Sequence, residues 1–85
     1  MDISRQEQRI LHMLAQGGHI LALKDDKGRI VEVECYNRDG WMLNDCPLWL
    51  FSKLRRKKAI RSEASRPYRI TRRGLELVRS EVSNR

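Results

Sequence analysis

The chain has 85 residues, 40% of them hydrophobic and 34% charged, and a formal net charge of +7. A chain this short buries only about 60–65% of its unfolded surface, which leaves room for one modest core and little for a deep catalytic cavity. No stretch approaches the roughly 18–20 apolar residues of a membrane helix, and the polar start holds no apolar signal core, so a cytoplasmic protein with reduced Cys35 and Cys46 is expected.

The first element is a helix. Ser4 and Glu7 have the spacing of a capping box, Ser at the cap and Glu three later. Ile10, Leu11 and Leu14 share one face of this helix, with Ile3 close by, and Gln8, Arg9, His12 and Gln16 share the other. Gly17-Gly18 stops the helix by allowing a left-handed exit. Two extended runs come next, His19–Lys24 and Arg29–Tyr36, joined by the short loop Asp25-Asp26-Lys27-Gly28. In the second run Val31, Val33 and Cys35 alternate with Ile30, Glu32 and Glu34, a period of two that predicts one buried face. Asn37-Arg38-Asp39-Gly40 reads as a second turn, and Trp41-Met42-Leu43 as a brief third strand with Trp41 in the core.

Asn44 or Asp45 is expected to cap a second helix with Pro47 in its first turn, running to about Lys57. Leu48, Leu50, Phe51 and Leu54 cluster on one side of it, and Trp49, Ser52, Lys53 and Arg56 on the other. Ala59–Ser62 and Pro67–Thr71 read as two short strands around the polar loop 63–66. Thr71 caps a last helix carrying Leu75, Val78 and Val82, and Gly74 permits close packing in its first turn. There is no internal repeat and no linker, so one domain over residues 1–85 is expected.

Charge is unevenly placed. Residues 1–45 carry six Lys/Arg against eight Asp/Glu, and residues 46–85 carry twelve against three. Between Lys53 and Arg73 lie ten cations opposed only by Glu63. Leu54, Ile60, Tyr68 and Ile70 are threaded through this tract. A disordered arm lacks such core residues, so the tract predicts a shaped positive surface suited to a polyanion.

The order helix, short strand, polar loop, strand, helix over residues 47–80 resembles the end of a winged-helix domain, and Tyr68–Gly74 is similar to a returning wing strand and helix start. The expected fold is therefore α+β, a winged-helix-like single domain with an extra N-terminal β-hairpin at 19–36 where a second helix would ordinarily stand. In the DNA-binding use of that fold, the helix before the wing enters the major groove and the wing touches the backbone. The candidate nucleic-acid-binding residues are then Ser52, Lys53, Arg56 and Lys57 on the helix and Arg61, Arg66 and Arg69 on the wing. Asp25, Asp26, Glu32 and Glu34 on the hairpin are candidates for contact with a basic protein partner. Trp49, beside Lys53 and Arg56, either joins an interface or is covered by the hairpin or the last helix.

No catalytic set stands out. The four potential zinc ligands Cys35, Cys46, His12 and His19 lack a C-x-x-C pair, so no metal is expected. There is no Gly-rich phosphate loop and no nucleophile with a supporting base, so neither a cofactor nor a small-molecule substrate is expected, and the chain reads as a non-enzyme.

Four separated strings carry a resemblance along nearly the whole chain: SRQEQRILHMLAQGG at the start, VECYNRDG in the middle, Asp45-Cys46, and RPYRIT. Together they resemble the YjhX-like toxin family. Within them Ser4, Gln6, Glu7, Cys35, Tyr36, Gly40, Asp45 and Cys46 read as cap, turn and core. The resemblance implies the toxin half of a toxin–antitoxin pair that inhibits bacterial DNA topoisomerase I by binding it, with an acetyltransferase-like cognate antitoxin. The basic tract, read on its own, adds contact with double-stranded DNA. Two other readings stand beside it: a winged-helix transcriptional regulator, and a ribonuclease toxin using His12 and His19.

Overall fold

A computed structural model describes the backbone of residues 3–83 and the side chains of residues 3–79. The capping box forms as read. The Ser4 hydroxyl accepts the Glu7 N–H at 3.1 Å, and the Glu7 carboxylate accepts the Ser4 N–H at 2.8 Å. These bonds start helix α1 (Arg5–Ala15), which buries Ile10, Leu11, Met13 and Leu14. It ends at Gln16, and Gly17 turns the chain away with φ +108°.

Strands β1 (His19–Lys24), β2 (Ile30–Tyr36) and β3 (Met42–Leu43) form an antiparallel sheet in that order. The register sets Ile20 opposite Cys35, Ala22 opposite Val33, and Cys35 opposite Leu43, which brings the core-facing residues together. Helix α2 (Leu48–Arg56) packs across β2 and buries Leu50, Phe51 and Leu54. Strands β4 (Ile60–Arg61) and β5 (Arg69–Ile70) pair antiparallel, and helix α3 (Arg72–Ser83) returns across α1. Ile20 and Tyr68 exchange both backbone hydrogen bonds, at 3.0 and 2.7 Å, so the small hairpin is fastened to the first strand of the main sheet. The result is an α+β arrangement around one core shared by all three helices and both sheets among the described residues. Tyr68, half-buried, packs against that core edge-on to Phe51, with ring centroids 4.9 Å apart.

Gly74 shows why the β4–β5 hairpin and α3 sit so close. A Cβ at this position would overlap the Ala59 carbonyl oxygen and the Ile70 side chain. Thr71 caps α3 as expected, its hydroxyl accepting the Gly74 N–H at 3.1 Å and donating to the Lys58 carbonyl at 2.7 Å. Val82, expected on the apolar side of α3, lies outside the described side chains.

Several expectations are corrected. The cap of α2 is Pro47, in extended geometry with ψ 158°, and neither Asn44 nor Asp45 performs that role. Asp45 instead turns outward to pair with Arg9 of α1 at 2.9 Å. Trp41 is 73% exposed, because it precedes a two-residue edge strand and its N–H is held in the preceding turn by Asn37. Val31 is exposed because an irregularity between Leu23 and Lys24 shifts the pairing and breaks the alternation at the hairpin tip. Leu48, in the first turn of α2, is also exposed.

Cys35 and Cys46 are bridged rather than reduced. Their Cα atoms are 6.4 Å apart, inside the disulfide range, and both residues are buried. The bridge ties β2 to the approach of α2.

Candidate functional site

The basic tract folds into a shaped surface, but its cations have unequal roles. Lys57 reaches the buried Glu7 carboxylate at 2.7 Å, and Lys53 lies 3.8 Å from the same group. Burial pushes the Glu7 carboxyl up, yet the Lys57 ammonium and the Ser4 N–H and hydroxyl outweigh it and hold it below the ordinary carboxylate value. Arg69 points away from the core, as its strand position requires, and donates to the Gly17 and Gly18 carbonyls at 3.1 and 3.2 Å. Arg61 pairs with Glu63 across the start of the loop. Arg55 lies over the rings of Phe51 and Tyr68, at 5.7 and 6.0 Å from their centroids. Arg73 donates to the Lys57 carbonyl at 3.0 Å.

Arg56, Lys58, Arg66 and Arg72 are exposed, and none has a side-chain hydrogen bond or ion pair among the described residues. Of these, Arg56 and Arg66 are among the residues singled out from the sequence, together with Ser52, which is exposed on α2. Lys58 and Arg72 are not. Lys58 follows the end of α2 in the left-handed conformation, φ +60°. Arg72 occupies the first turn of α3, directly after its cap. The position of Thr71 as a cap was the available signal for Arg72; nothing in the sequence marks the φ of Lys58.

Three adjoining clefts run across this surface. One of about 570 Å³ lies among Lys53, Arg56, Lys57, Lys58 and Arg73 at the end of α2. A second, about 490 Å³, shares Lys58 and Arg73 with it and extends to Arg61 and Arg72. A third, about 430 Å³, shares Arg61, Thr71 and Arg72 with the second and ends at Arg66 on the loop. Their shared lining residues join them in a groove beside the start of α3 that carries ten cations against the single carboxylate of Glu63. Ala64 and Ser65 at the loop tip both have positive φ, 53° and 63°, a tight reversal that sets Arg66 at the groove's end.

The second candidate surface is the outer face of the three-stranded sheet. Alternation places Ile20, Ala22, Val33, Cys35 and Leu43 toward the core, which leaves Leu21, Leu23, Glu32, Glu34 and Met42 on the side away from it. Leu23 stands opposite Glu32, and Leu21 opposite Glu34. Leu23, Glu32 and Met42 are exposed, and so is Trp41, which precedes Met42. Glu34 accepts the Tyr36 hydroxyl at 2.9 Å, and that bond, with burial and the carboxylate charge, raises the Tyr36 pKa.

Asp25 is a loop organiser. It accepts the Arg29 and Lys27 N–H groups, each at 2.9 Å, and pairs with the Arg29 guanidinium at 3.1 Å. The Arg29 N–H is the main cause of its lowered pKa; burial opposes it, and Lys27 and the Arg29 side chain add to the lowering. Asp26 is exposed at the same loop. Trp49 is 52% exposed on α2, so neither the hairpin nor the last helix covers it. His12 is exposed on α1, whereas His19 stacks on Tyr36 with ring centroids 5.3 Å apart. No helix among the described residues is long and apolar enough to cross a membrane.

Comparison with known proteins covers the whole chain. The family model for YjhX toxins, described as "Putative toxin of bacterial toxin-antitoxin pair", matches residues 1–85. A UPF0386 protein of Chelativorans sp. (strain BNC1) is 62% identical over 85 residues, covering 100% of both chains. A UPF0386 protein of Rhizobium meliloti (strain 1021) is 60% identical over 85 residues, again with full coverage of both, and one of Hyphomonas neptunium is 56% identical over 84 residues, 99% of each. No solved structure matches.

Proposed function

The chain belongs to the YjhX toxin family, and from that premise we propose that it acts in the cytoplasm as the toxin of a toxin–antitoxin pair, inhibiting DNA topoisomerase I by binding the enzyme directly. Membership of such a pair implies a cognate antitoxin. The observation that carries the choice of a protein target is the open sheet face. Leu23 leaves apolar surface in solvent beside Glu32, Met42 and Trp41 leave more at the other end of the sheet, and no element among the described residues covers them. Aromatic and apolar side chains beside a carboxylate suit a protein surface that is itself basic, as the DNA path of a topoisomerase is. Asp26 and Trp49 extend the candidate contact set, while Asp25 serves it only by fixing the loop.

We read α2, β4, β5 and α3 as a winged-helix-like half, with β4 and β5 as a short wing. The three-stranded sheet stands between α1 and α2, where a complete helix-turn-helix would need another helix. This substitution favours an inhibitor over a sequence-specific regulator. The groove is the observation on the other side, since a regulator also needs a positive surface.

Relaxation of supercoiled plasmid separates the two readings. Inhibition by the purified protein that survives a large excess of competitor DNA, together with a stable complex with the enzyme, supports the toxin reading. Retardation of one promoter fragment over others, with no inhibition at stoichiometric excess, overturns it in favour of the regulator. Cleavage of RNA by pure protein would instead support the nuclease reading. An acetyltransferase-like protein encoded next to the toxin would identify the antitoxin.

A further inference from the structure

We infer that the groove along the start of α3 is a binding site for the phosphate backbone of duplex DNA, sequence-independent and separate from the sheet face. Four of the groove's cations, Arg56, Lys58, Arg66 and Arg72, have no side-chain partner among the described residues, and they are set along the groove rather than on one helix face. Arg56 ends α2, Lys58 follows it, Arg72 opens α3 and Arg66 lies at the loop tip. A row of separated cations matches a row of phosphates.

The two aliphatic hydroxyls that line the groove are engaged within the protein. The Thr71 hydroxyl bonds Lys58 O and Gly74 N, and the Ser62 hydroxyl donates to the Arg66 carbonyl at 2.5 Å. On α2, which would have to enter the major groove, Lys53 and Lys57 turn toward Glu7. The groove also lacks a stacking platform for unpaired bases. Its aromatic side chain, Tyr68, is held edge-on against Phe51 and lies beneath Arg55. Cations with no free aliphatic hydroxyl or exposed ring beside them in the groove fit a duplex backbone. The preference for DNA over duplex RNA rests on the proposed topoisomerase target; the groove itself does not.

The test uses the whole protein with no enzyme present, so it stands or falls apart from the inhibition assay. Anisotropy of a labelled random-sequence DNA duplex is measured across a salt series. With four groove cations on phosphates, log K against log salt should have a slope of about −3.6, at −0.9 per phosphate. The triple variant R56Q/R66Q/R72Q, all exposed positions, should make the slope about 2.7 shallower and weaken binding at least tenfold at low salt. The matched control K24Q/K27Q/R38Q removes the same charge from the hairpin loop and the second turn and should stay within about twofold of the parent. Equal losses in both variants would assign binding to net charge and overturn the proposal. A parent slope shallower than about −2 would overturn it too. Tighter binding of a single strand would exclude the duplex, and tighter binding of duplex RNA would exclude DNA.

Discussion

The Lys57 ammonium at the end of α2 lies 2.7 Å from the Glu7 carboxylate in the first turn of α1, so Glu7 serves both in the helix cap and as anchor for the basic helix. Glu7 is 1% exposed, whereas Lys57 keeps 19% of its side chain in solvent. The anion is therefore the vulnerable partner, because only the lysine can fall back on water.

Glu7→Gln should lower stability at neutral pH by about 1.5–3 kcal/mol, the range for hydrogen bonds to charged groups. The folded pKa of Glu7 lies below its ordinary value of 4.5. Its contribution is thus present above the unfolded pKa and disappears as pH falls through the folded value. Thermal melts taken from neutral pH downward through the acid range should show a large gap between parent and variant at neutral pH that shrinks as Glu7 protonates. A gap that stays constant would mean that Glu7 acts by packing rather than by charge.

Gly74→Ala sets two effects against each other. Alanine favours the helix by up to about 1 kcal/mol over glycine. The new Cβ, however, meets the Ala59 backbone carbonyl, which cannot rotate aside as a long side chain would. Overpacking of this kind costs about 1–3 kcal/mol, so net destabilisation is expected in chemical denaturation. An unchanged or raised midpoint would show that the β4–β5 hairpin can shift away from α3.

Much of this frame was readable in the sequence because it depends on local rules. The capping box at Ser4 and Glu7, the stop at Gly17, the Thr71 cap and the close approach at Gly74 all derive from residue type and spacing. The features that were not readable depend on residues far apart in the chain. The burial of Glu7 requires Lys57 from another helix. The commitment of Arg69 requires carbonyls at residues 17 and 18. Exposure of Trp41 reflects how short β3 is. The same limit applies to the groove: its tract was evident as charge, but which cations remain available was decided by tertiary partners.

The Cys35–Cys46 bridge closes a short loop with a sequence separation of 11. Loop-closure entropy puts its contribution at about 3 kcal/mol. Reductant, or Cys35→Ser with Cys46→Ser, should lower the denaturation midpoint accordingly, with thiol alkylation followed by mass spectrometry reporting the state of each cysteine. A reducing cytoplasm would favour the open form. An alkylated, fully reduced protein with the midpoint of the oxidised one would show that the packing of β2 on α2 holds without the bond.

The two surfaces make opposite demands on the same pair of assays. Leu23→Ser with Trp41→Ala removes exposed apolar groups from the sheet face and touches neither the core nor the groove. If that face docks on the enzyme, truncating a central aromatic contact should cost about 2 kcal/mol or more, near thirtyfold in inhibitory potency. Duplex binding by the same variant should stay within about twofold. The groove variant R56Q/R66Q/R72Q should show the reverse, losing duplex affinity while still inhibiting relaxation when competitor DNA is in excess. The discriminating result is the crossed pattern rather than either loss alone. Were the groove variant to lose inhibition while the sheet variant kept it, the protein would be acting by occupying DNA, and direct binding to the enzyme would have to be abandoned.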